Sequence, residues 1–288
     1  MKQAHLFIPV AIFLLASMSC IGSVSSSKEQ SKDENKIAPE YKDVEKKFVN
    51  LSDFSTDAKG FIHLSGNESL KGWRGYGKDH LPSKWSVDSV DKEVLAFNSS
   101  APGEGGDIIF AFPFRNFELE LEWKISKEGN SGIFYLAREI ITKDTKGKDR
   151  VEPIYLSALE YQILDDEHNP DAKLGNNNNR ISGALYDIVS AEPQNSKGFG
   201  KWNKARIIVR HGHVIHELND VKVMECQLWT LEWKDKLQAS KFSETKWPLA
   251  FELMNNREGK YREGYIGLQD HGHDVWYRNI RIKVLNGE

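Results

Sequence analysis

Carboxylate, amide and imidazole side chains recur at alternate positions in three segments of the chain, and these residue types can exchange protons and bind hydroxyl groups. In the first segment, Glu160 and Gln162 lie two positions apart with Tyr161 between them. Alternate residues of an extended strand share one face. A carboxylate and an amide on one face can accept and donate hydrogen bonds to sugar hydroxyls together. We therefore predict that Glu160 and Gln162 are site residues.

A strongly alternating acidic segment provides the second candidate. Glu118, Glu120 and Glu122 alternate with apolar residues, which predicts a strand with one charged face. A solvated outer face would explain all three carboxylates. Glu122 is nevertheless a candidate, because the turn that follows at residues 127–132 would return the chain to the same surface and bring Asn130 with it.

The third candidate segment covers residues 265–273. Gln269 and His271 would share one strand face, and Gly267 would leave room beside them for a ligand. Histidine is the side chain that exchanges protons most readily near neutral pH. The alternative is a capped strand end, in which Asp270 binds loop amides.

Aromatic residues between glycines mark a fourth candidate, at residues 72–77. Trp73 and Arg74 suit a loop that lays a ring against the face of a sugar. A loop that packs over the edge of the fold as a plug is an equally good interpretation.

Metal and thiol chemistry have weaker support. His271 and His273 could share a metal ion, but no third ligand follows at a suitable spacing, so a divalent cation is left open. The sequence has 2 cysteines, which excludes a cysteine-rich metal cluster. Cys226 lies in a strand-like run, where a buried small residue is a better interpretation than a nucleophile.

Short segments with period-two alternation dominate from residue 48 onwards. The predicted strands are Phe117–Ile125, Ser131–Leu136, Leu159–Leu164, Ala205–Arg210, Val214–Leu218, Val221–Glu225, Tyr265–Asp270 and Val275–Val284. Residues 234–242 are the one fair helix candidate, of one or two turns. Many strands without a βαβ rhythm predict an all-β fold, an antiparallel two-sheet sandwich over residues 48–288. A large sandwich curves, so we expect one concave face to carry the site.

The N-terminus reads as an export signal. Lys2 precedes a largely apolar run from Leu6 to Met18, and Cys20 follows a small residue. This order predicts a lipoprotein signal over residues 1–20, with a lipidated Cys20 that anchors the protein in a membrane. A soluble secreted protein is the alternative. Residues 21–47 are polar and predict a flexible tether, and the protein would be periplasmic or attached to the outer membrane or cell surface.

Charge excludes one class of partner. The formal net charge is -3, from 39 basic and 42 acidic residues. A protein with no overall positive field is poorly suited to nucleic acid, so we expect no nucleic-acid partner.

Several short motifs occur in an order that resembles the 3-keto-disaccharide hydrolase family across about residues 60–285. The motifs are Trp73-Arg74, Glu122-Trp123, Asn130-Ser131-Gly132-Ile133, Glu160-Tyr161-Gln162-Ile163-Leu164-Asp165-Asp166, Gly183-Ala184-Leu185-Tyr186-Asp187, Trp202-Asn203-Lys204-Ala205-Arg206, His216-Glu217-Leu218-Asn219, Leu268-Gln269-Asp270-His271-Gly272 and Val275-Trp276-Tyr277-Arg278-Asn279-Ile280. The resemblance implies a concanavalin A-like jelly roll, as in lectins and glucanases.

The resemblance also implies a reaction. The substrate would be a glycoside oxidised to a ketone at C3. A base removes the acidified proton at C2, the enolate expels the aglycone from C1, and water then adds. The resemblance supplies the reaction but not the residue roles. Our hypothesis is that Glu122 and His271 move the protons, while Glu160 and Asp270 orient their neighbours. The predicted substrate-binding residues are Gln162, Asn130, Tyr186, Gln269, Trp73, Arg74, Arg206 and His216.

Two other functions remain open from the sequence. One is a conventional two-carboxylate glycosidase, which would need Glu122 and Glu160 on neighbouring strands. The other is a non-catalytic surface module that binds glycans. The aglycone and the oligomeric state are undetermined.

Overall fold

The most regular alternation in the sequence becomes one of the longest strands of the structure. In the computed structural model, which describes residues 38–44, 49–66, 70–256, 259 and 261–285, Phe117–Ile125 forms a strand whose residues are alternately buried and half-buried. The strands are β1 (Lys42–Asp43), β2 (Ile62–His63), β3 (Trp73–Gly75), β4 (Trp85–Val87), β5 (Leu95–Phe97), β6 (Ile108–Phe110), β7 (Phe117–Ile125), β8 (Asn130–Ala137), β9 (Ile140–Lys143), β10 (Asp149–Val151), β11 (Leu159–Leu164), β12 (Asn203–Arg210), β13 (His213–Leu218), β14 (Val221–Gln227), β15 (Tyr265–Leu268) and β16 (Val275–Val284). The helices are α1 (Leu231–Ala239) and α2 (Pro248–Asn255).

The strands form two large antiparallel sheets. The five-stranded sheet has the order β11-β8-β15-β6-β3, and the eight-stranded sheet has the order β14-β13-β12-β7-β16-β5-β4 with β2 paired to β16. A small third sheet has the order β1-β9-β10. Side chains from both large sheets, among them Tyr161, Ile133, Leu121 and Trp123, belong to one buried hydrophobic cluster. The predicted two-sheet sandwich is therefore confirmed.

Because side chains alternate across each strand, every polar residue of these sheets faces either the shared core or the outer side of its own sheet. On β11, Tyr161 and Ile163 face the core, so Glu160 and Gln162 face outward. On β7, Leu119 and Leu121 face the core, so Glu120 and its acidic neighbours face outward from the other sheet. The acidic residues singled out from the sequence thus divide between two opposite surfaces.

Strand prediction was more accurate than helix prediction. The bounds of β7, β11 and β16 match the sequence analysis. The predicted helix begins and ends three residues earlier than expected, because the Thr230 side chain accepts a hydrogen bond from the N–H of Trp233 and caps it. α2 was not predicted, since its short apolar run has no period that separates a helix from a strand.

The first part of the chain gives one correction. The signal segment 1–20, with Cys20, and most of the tether lie outside the described residues. Lys42–Asp43, which we assigned to the tether, instead form β1 and pair with β9. Without this segment, the side of β9 away from β10 would leave N–H and C=O groups unpaired. In the part of the chain that the structure describes, no helix is long and apolar enough to cross a membrane.

Cys226 is buried in the main core, as predicted. Burial raises the pKa of its thiol to about 12, so it is not a reactive thiolate.

Candidate functional site

A buried carboxyl group lies on the outer face of the five-stranded sheet. Glu160 of β11 pairs with Phe134 of β8, and its side chain extends over Gly132 two residues along the same strand. A methyl group at Gly132 would overlap Oε1 of Glu160, so only glycine leaves room for the carboxyl group there. We call the surrounding cluster the Glu160 site; its members are Glu160, Gln162, Asn130, Gln269, Asp107, Tyr186 and Lys241.

The environment of Glu160 favours its protonated form. Burial raises the pKa of Glu160 to about 8, and the negative charges of Asp107 and Asp171 act in the same direction. The positive charge of Lys241 and a hydrogen bond from Gln269 oppose this rise. A carboxyl group with a pKa near neutrality can both donate and accept a proton at working pH.

Two buried amide oxygens beside Glu160 have no hydrogen-bond partner among the residues that the structure describes. Gln162 is fully buried and its Nε2 donates to Oδ1 of Asn130 at 3.2 Å, but its Oε1 meets no donor in the described residues. Oε1 of Gln269 is also buried and unpaired there. A buried acceptor without a partner costs about 1–3 kcal/mol. A sugar presents hydroxyl donors that satisfy such oxygens, so this pair of amides points to a polyhydroxylated ligand.

A second carboxyl group belongs to Asp107, which directly precedes β6 and is hydrogen-bonded to the loop after β15. Its Oδ1 accepts a hydrogen bond from the backbone N–H of Asp270 at 2.9 Å. Burial raises the pKa of Asp107 to about 7, and the charge of Asp270 adds to this effect. Asp270 itself accepts hydrogen bonds from the N–H groups of Gly106 and Gly272, at 2.7 and 2.9 Å. Asp270 thus caps the strand end, as in the alternative prediction, and its role as an orienting residue stays a prediction. Asp107 is a further carboxyl group of the site.

Tyr186 and Lys241 close one side of the site. The hydroxyl of Tyr186 donates to Oδ2 of Asp171 at 2.9 Å. The Nζ atom of Lys241 lies 4.2 Å from the centroid of the Tyr186 ring. Burial lowers the pKa of Lys241, while the negative charge of Glu160 raises it.

His271 lies at the rim, two residues beyond Gln269. Its side chain is exposed, and its ring is parallel to the ring of His273 at 6.1 Å. Across the described segments of the chain, no group of three or more His, Cys, Asp or Glu side chains could hold a metal ion. A catalytic role for His271 stays a prediction.

Glu122 is not part of this site, and the prediction that it shares a floor with Glu160 was wrong. It lies on β7, in the other sheet, and its side chain faces away from the shared core. Arg278 donates to Oε2 at 2.7 Å and Asn279 donates to Oε1 at 2.8 Å. Partial burial raises the pKa of Glu122, but the bonds from Arg278 and Asn279 outweigh burial and lower it overall. The pairing of Glu122 with Glu160 that a two-carboxylate glycosidase would need is therefore excluded.

Arg206 was placed wrongly for the same reason. It lies on β12, beside β7, and forms ion pairs with Glu118 at 2.7 Å and Glu217 at 2.8 Å. These residues belong to the outer face of the eight-stranded sheet, where the alternative prediction of a solvated, charged surface holds.

His216 was also misplaced, because it points into the core between the two sheets. Its Nδ1 donates to the carbonyl of Gly183 at 2.9 Å, which leaves Nε2 to accept from the hydroxyl of Tyr135 at 2.9 Å. Burial lowers the pKa of His216 to about 3, so the ring is neutral and structural.

Trp73 and Arg74 form β3 rather than a sugar-binding loop. Trp73 is buried in the main core and donates to the carbonyl of Leu64 at 2.7 Å. Arg74 is buried and forms a bidentate pair with Glu139, at 2.6 and 2.8 Å. Packing and an ion pair thus fix this edge strand, and both loop interpretations of the segment were wrong, because its backbone pairs with β6.

The sequence analysis missed Asp107 and Lys241. Asp107 is the polar residue between a glycine turn and the apolar strand β6, and a side chain at Gly105 would collide with Asp270. The two glycines Gly105 and Gly106, followed directly by Asp107, were the one sequence feature that could have indicated Asp107 as a site residue. Lys241 follows α1 after the C-capping Ser240, and no periodic pattern distinguishes it from a surface lysine.

Comparisons with known proteins agree with this architecture. The sequence profile of the 3-keto-alpha-glucoside-1,2-lyase-like domain matches residues 60–283. A 3-keto-disaccharide hydrolase from Bacteroides thetaiotaomicron is 52% identical over 289 residues, which cover 97% of this chain and 99% of that protein. Among solved structures, a candidate glycosyl hydrolase from Parabacteroides distasonis superposes with a TM-score of 0.64 at 24% identity, covering 85% of this chain and 100% of the other. A second one from that organism gives a TM-score of 0.52 at 26% identity, covering 78% and 99%.

Proposed function

Because the chain belongs to the family of the 3-keto-alpha-glucoside-1,2-lyase-like domain, we propose that its substrates are glycosides with a ketone at C3, such as 3-keto-disaccharides. As a member of this family it is a hydrolase that acts on glycosidic bonds. The observation that carries the proposal is the Glu160 site, where a buried carboxyl group of raised pKa lies beside two amide oxygens that are unpaired in the described part of the chain.

In the proposed reaction, Glu160 replaces Glu122 as the base. The ketone at C3 makes the hydrogen on C2 acidic, and ionised Glu160 removes it as a proton. The electron pair forms a C2–C3 double bond and an enolate oxygen, and the enolate then expels the aglycone oxygen from C1. Expulsion of the aglycone forms a C1–C2 double bond and restores the ketone at C3. Water then adds its oxygen to C1, C2 recovers the proton from Glu160, and the remaining proton of the water replaces the one given to the aglycone oxygen, so the overall change is hydrolysis. A base whose pKa lies near the working pH suits this proton transfer.

The neighbouring groups have supporting roles in the proposal. Gln162 and Gln269 accept hydrogen bonds from sugar hydroxyls through their unpaired oxygens. Burial is the main reason why the pKa of Glu160 is raised, and the charge of Asp107, a second carboxyl group, adds to this rise. His271, at the rim, is proposed to give the departing aglycone oxygen its proton.

The direct test is incubation of the purified protein with 3-keto-trehalose and with trehalose, each with and without a chelator. We expect release of 3-keto-glucose and glucose from the oxidised sugar alone. Equal hydrolysis of trehalose would contradict the proposal and favour a conventional glycosidase. Binding of 3-keto-trehalose without any product over hours would favour a glycan-binding module.

The location of the protein is a separate proposal. We propose that a lipid on Cys20 anchors it in a membrane, on the basis of the signal-like order of residues 1–20. Cells fed an alkyne fatty acid should label the wild-type protein but not Cys20→Ser, and the unlabelled variant should leave the membrane fraction. Labelling of both proteins would overturn the proposal.

A further inference from the structure

Lys241 is a cation that the reaction described above does not use, although its charge acts on the proposed base, Glu160. It follows α1, and its backbone N–H donates to Oδ2 of Asp187 at 2.6 Å, which fixes the start of the side chain. Its Nζ lies 4.2, 5.0 and 5.6 Å from the ring centroids of Tyr186, Phe242 and Trp247. Three aromatic rings therefore hold the ammonium group in place.

The aromatic cage leaves the hydrogen-bonding capacity of this group unused. An ammonium has three donors. Among the residues that the structure describes, no hydrogen-bond acceptor or ion-pair partner lies within bonding distance of Nζ. Ring faces attract the charge but accept no strong hydrogen bond. A ligand oxygen next to Glu160 could take up these donors.

The charged groups around Glu160 and Lys241 determine the electrostatic environment of a ligand oxygen bound between them. Glu160 is acted on by Lys241, Asp107 and Asp171. Lys241 is acted on by Glu160, Asp187, Arg180 and Asp171. Arg180 is already bound to Asp187 at 2.7 Å and to Asp171 at 2.8 Å. Lys241 is thus the positive group of this set that has no bonded carboxylate and is available to a developing negative charge.

We propose that Lys241 is a catalytic residue whose ammonium binds the C3 oxygen of the substrate and stabilises the enolate that forms when Glu160 removes the C2 proton; this inference rests on the proposed function. In this step the C2–H bond breaks and the proton moves to the Glu160 carboxylate. The electron pair forms the C2–C3 double bond, and the C3 oxygen gains the negative charge that Lys241 faces. Donors preorganised where charge develops are worth about 10²–10³-fold in rate.

The test separates enolate formation from hydrolysis by using 3-keto-glucose, which has no aglycone to expel. In D₂O the wild-type protein should exchange the C2 hydrogen of 3-keto-glucose, which NMR measures directly. Lys241→Met removes the charge and keeps the length of the side chain, and Lys241→Gln is the second variant in case Met does not fold. We expect either variant to lose about 10²–10³-fold in both C2 exchange and hydrolysis of 3-keto-trehalose.

Lys246→Met is the matched control, because Lys246 is an exposed lysine five positions further along the same segment. It should retain wild-type exchange and hydrolysis. If a folded Lys241 variant keeps C2 exchange while hydrolysis is lost, or keeps both within about threefold, far short of the loss expected of an oxyanion donor, the inference is wrong. If the wild-type protein neither exchanges nor hydrolyses these sugars, the proposed function itself fails, which is a different result.

Discussion

The two outer faces of the sandwich carry the same residue type in opposite states. On the eight-stranded sheet, Glu118 and Glu122 are half-buried and each meets an arginine at 2.7 Å. On the five-stranded sheet, Glu160 is buried, has a raised pKa and has no arginine among its partners in the described residues. An ion pair with arginine lowers the pKa of a carboxyl group and keeps it ionised. Burial without such a pair raises the pKa towards neutrality, where the group can exchange a proton. The comparison shows that a candidate acid–base residue is identified by the lack of an arginine partner rather than by the number of acidic residues nearby.

The largest expected effect is on the rate of hydrolysis, which should fall when the carboxyl group on the five-stranded sheet is replaced but not when the one on the eight-stranded sheet is replaced. Glu160→Gln should lower the rate of 3-keto-trehalose hydrolysis by about 10²–10⁴-fold, because it removes the proton-exchanging group. Glu122→Gln should leave the rate unchanged, since Glu122 lies in the other sheet. Steady-state kinetics on both variants decide the matter. A loss of turnover in Glu122→Gln with activity retained in Glu160→Gln would reverse the assignment.

A smaller effect tests the space that Gly132 leaves for the carboxyl group. Gly132→Ala would push the Glu160 side chain aside, and a displacement of about 1 Å can cost about 10²-fold in rate. Gly147→Ala is the control, because a methyl group there meets nothing within 4 Å; strain from its positive φ should affect stability alone. Wild-type kcat in a folded Gly132→Ala variant would show that the position of Glu160 is unimportant.

The pH profile should shift when the amide partner of Glu160 is removed. The hydrogen bond from Gln269 lowers the pKa of Glu160, so Gln269→Met should raise that pKa. A base acts only when ionised, and the rising limb of kcat/KM against pH should therefore move to higher pH. Gln238→Met, a substitution of an exposed glutamine on α1, should leave the limb in place. A shift to lower pH would contradict Glu160 as the base.

Stability should respond to pH with opposite signs on the two faces. The folded pKa of Glu160 is raised, so its contribution to stability is present below its unfolded pKa and is lost as pH rises towards about 8. Relative to wild type, Glu160→Gln should thus become progressively more stable between about pH 5 and 8, by up to about 1.4 kcal/mol per pH unit. Urea unfolding at several pH values measures this difference, and a constant difference would contradict the burial of a protonated Glu160.

The smallest expected effect is the change in the free energy of unfolding caused by Glu122→Gln, on the outer face of the eight-stranded sheet. The folded pKa of Glu122 is lowered, so its stabilising contribution is present above its unfolded pKa and is lost as pH falls through the folded value. Glu122→Gln should lower the free energy of unfolding by at most about 1 kcal/mol at pH 7 and by less in acid or high salt. A loss that persists in acid would mean that packing, not charge, stabilises this position.

Alternation in the sequence predicts which face of a strand a residue occupies but not which sheet the strand joins. Glu122 and Glu160 both alternate with core residues, and only long-range pairing sends β7 and β11 to different sheets. The position of His216 was open to prediction, since it alternates in phase with Val214 and Leu218, which are core residues. Asp107 and Lys241 enter the site from a turn and from a segment that follows a helix, where no period exists. Glu160 and Gln162 were found because their carboxylate and amide stand on one face of a strand whose bounds the sequence defines well.

The imidazole of His216, enclosed between Tyr135 and Gly183, makes the stability of the fold sensitive to acid. The unfolded chain takes up a proton on this residue below about pH 6.5, whereas the folded ring stays neutral until about pH 3. Over that interval each step of acidification favours the unfolded chain. Part of the acid sensitivity of the protein therefore originates at the centre of the sandwich, in addition to the part that comes from its paired carboxylates.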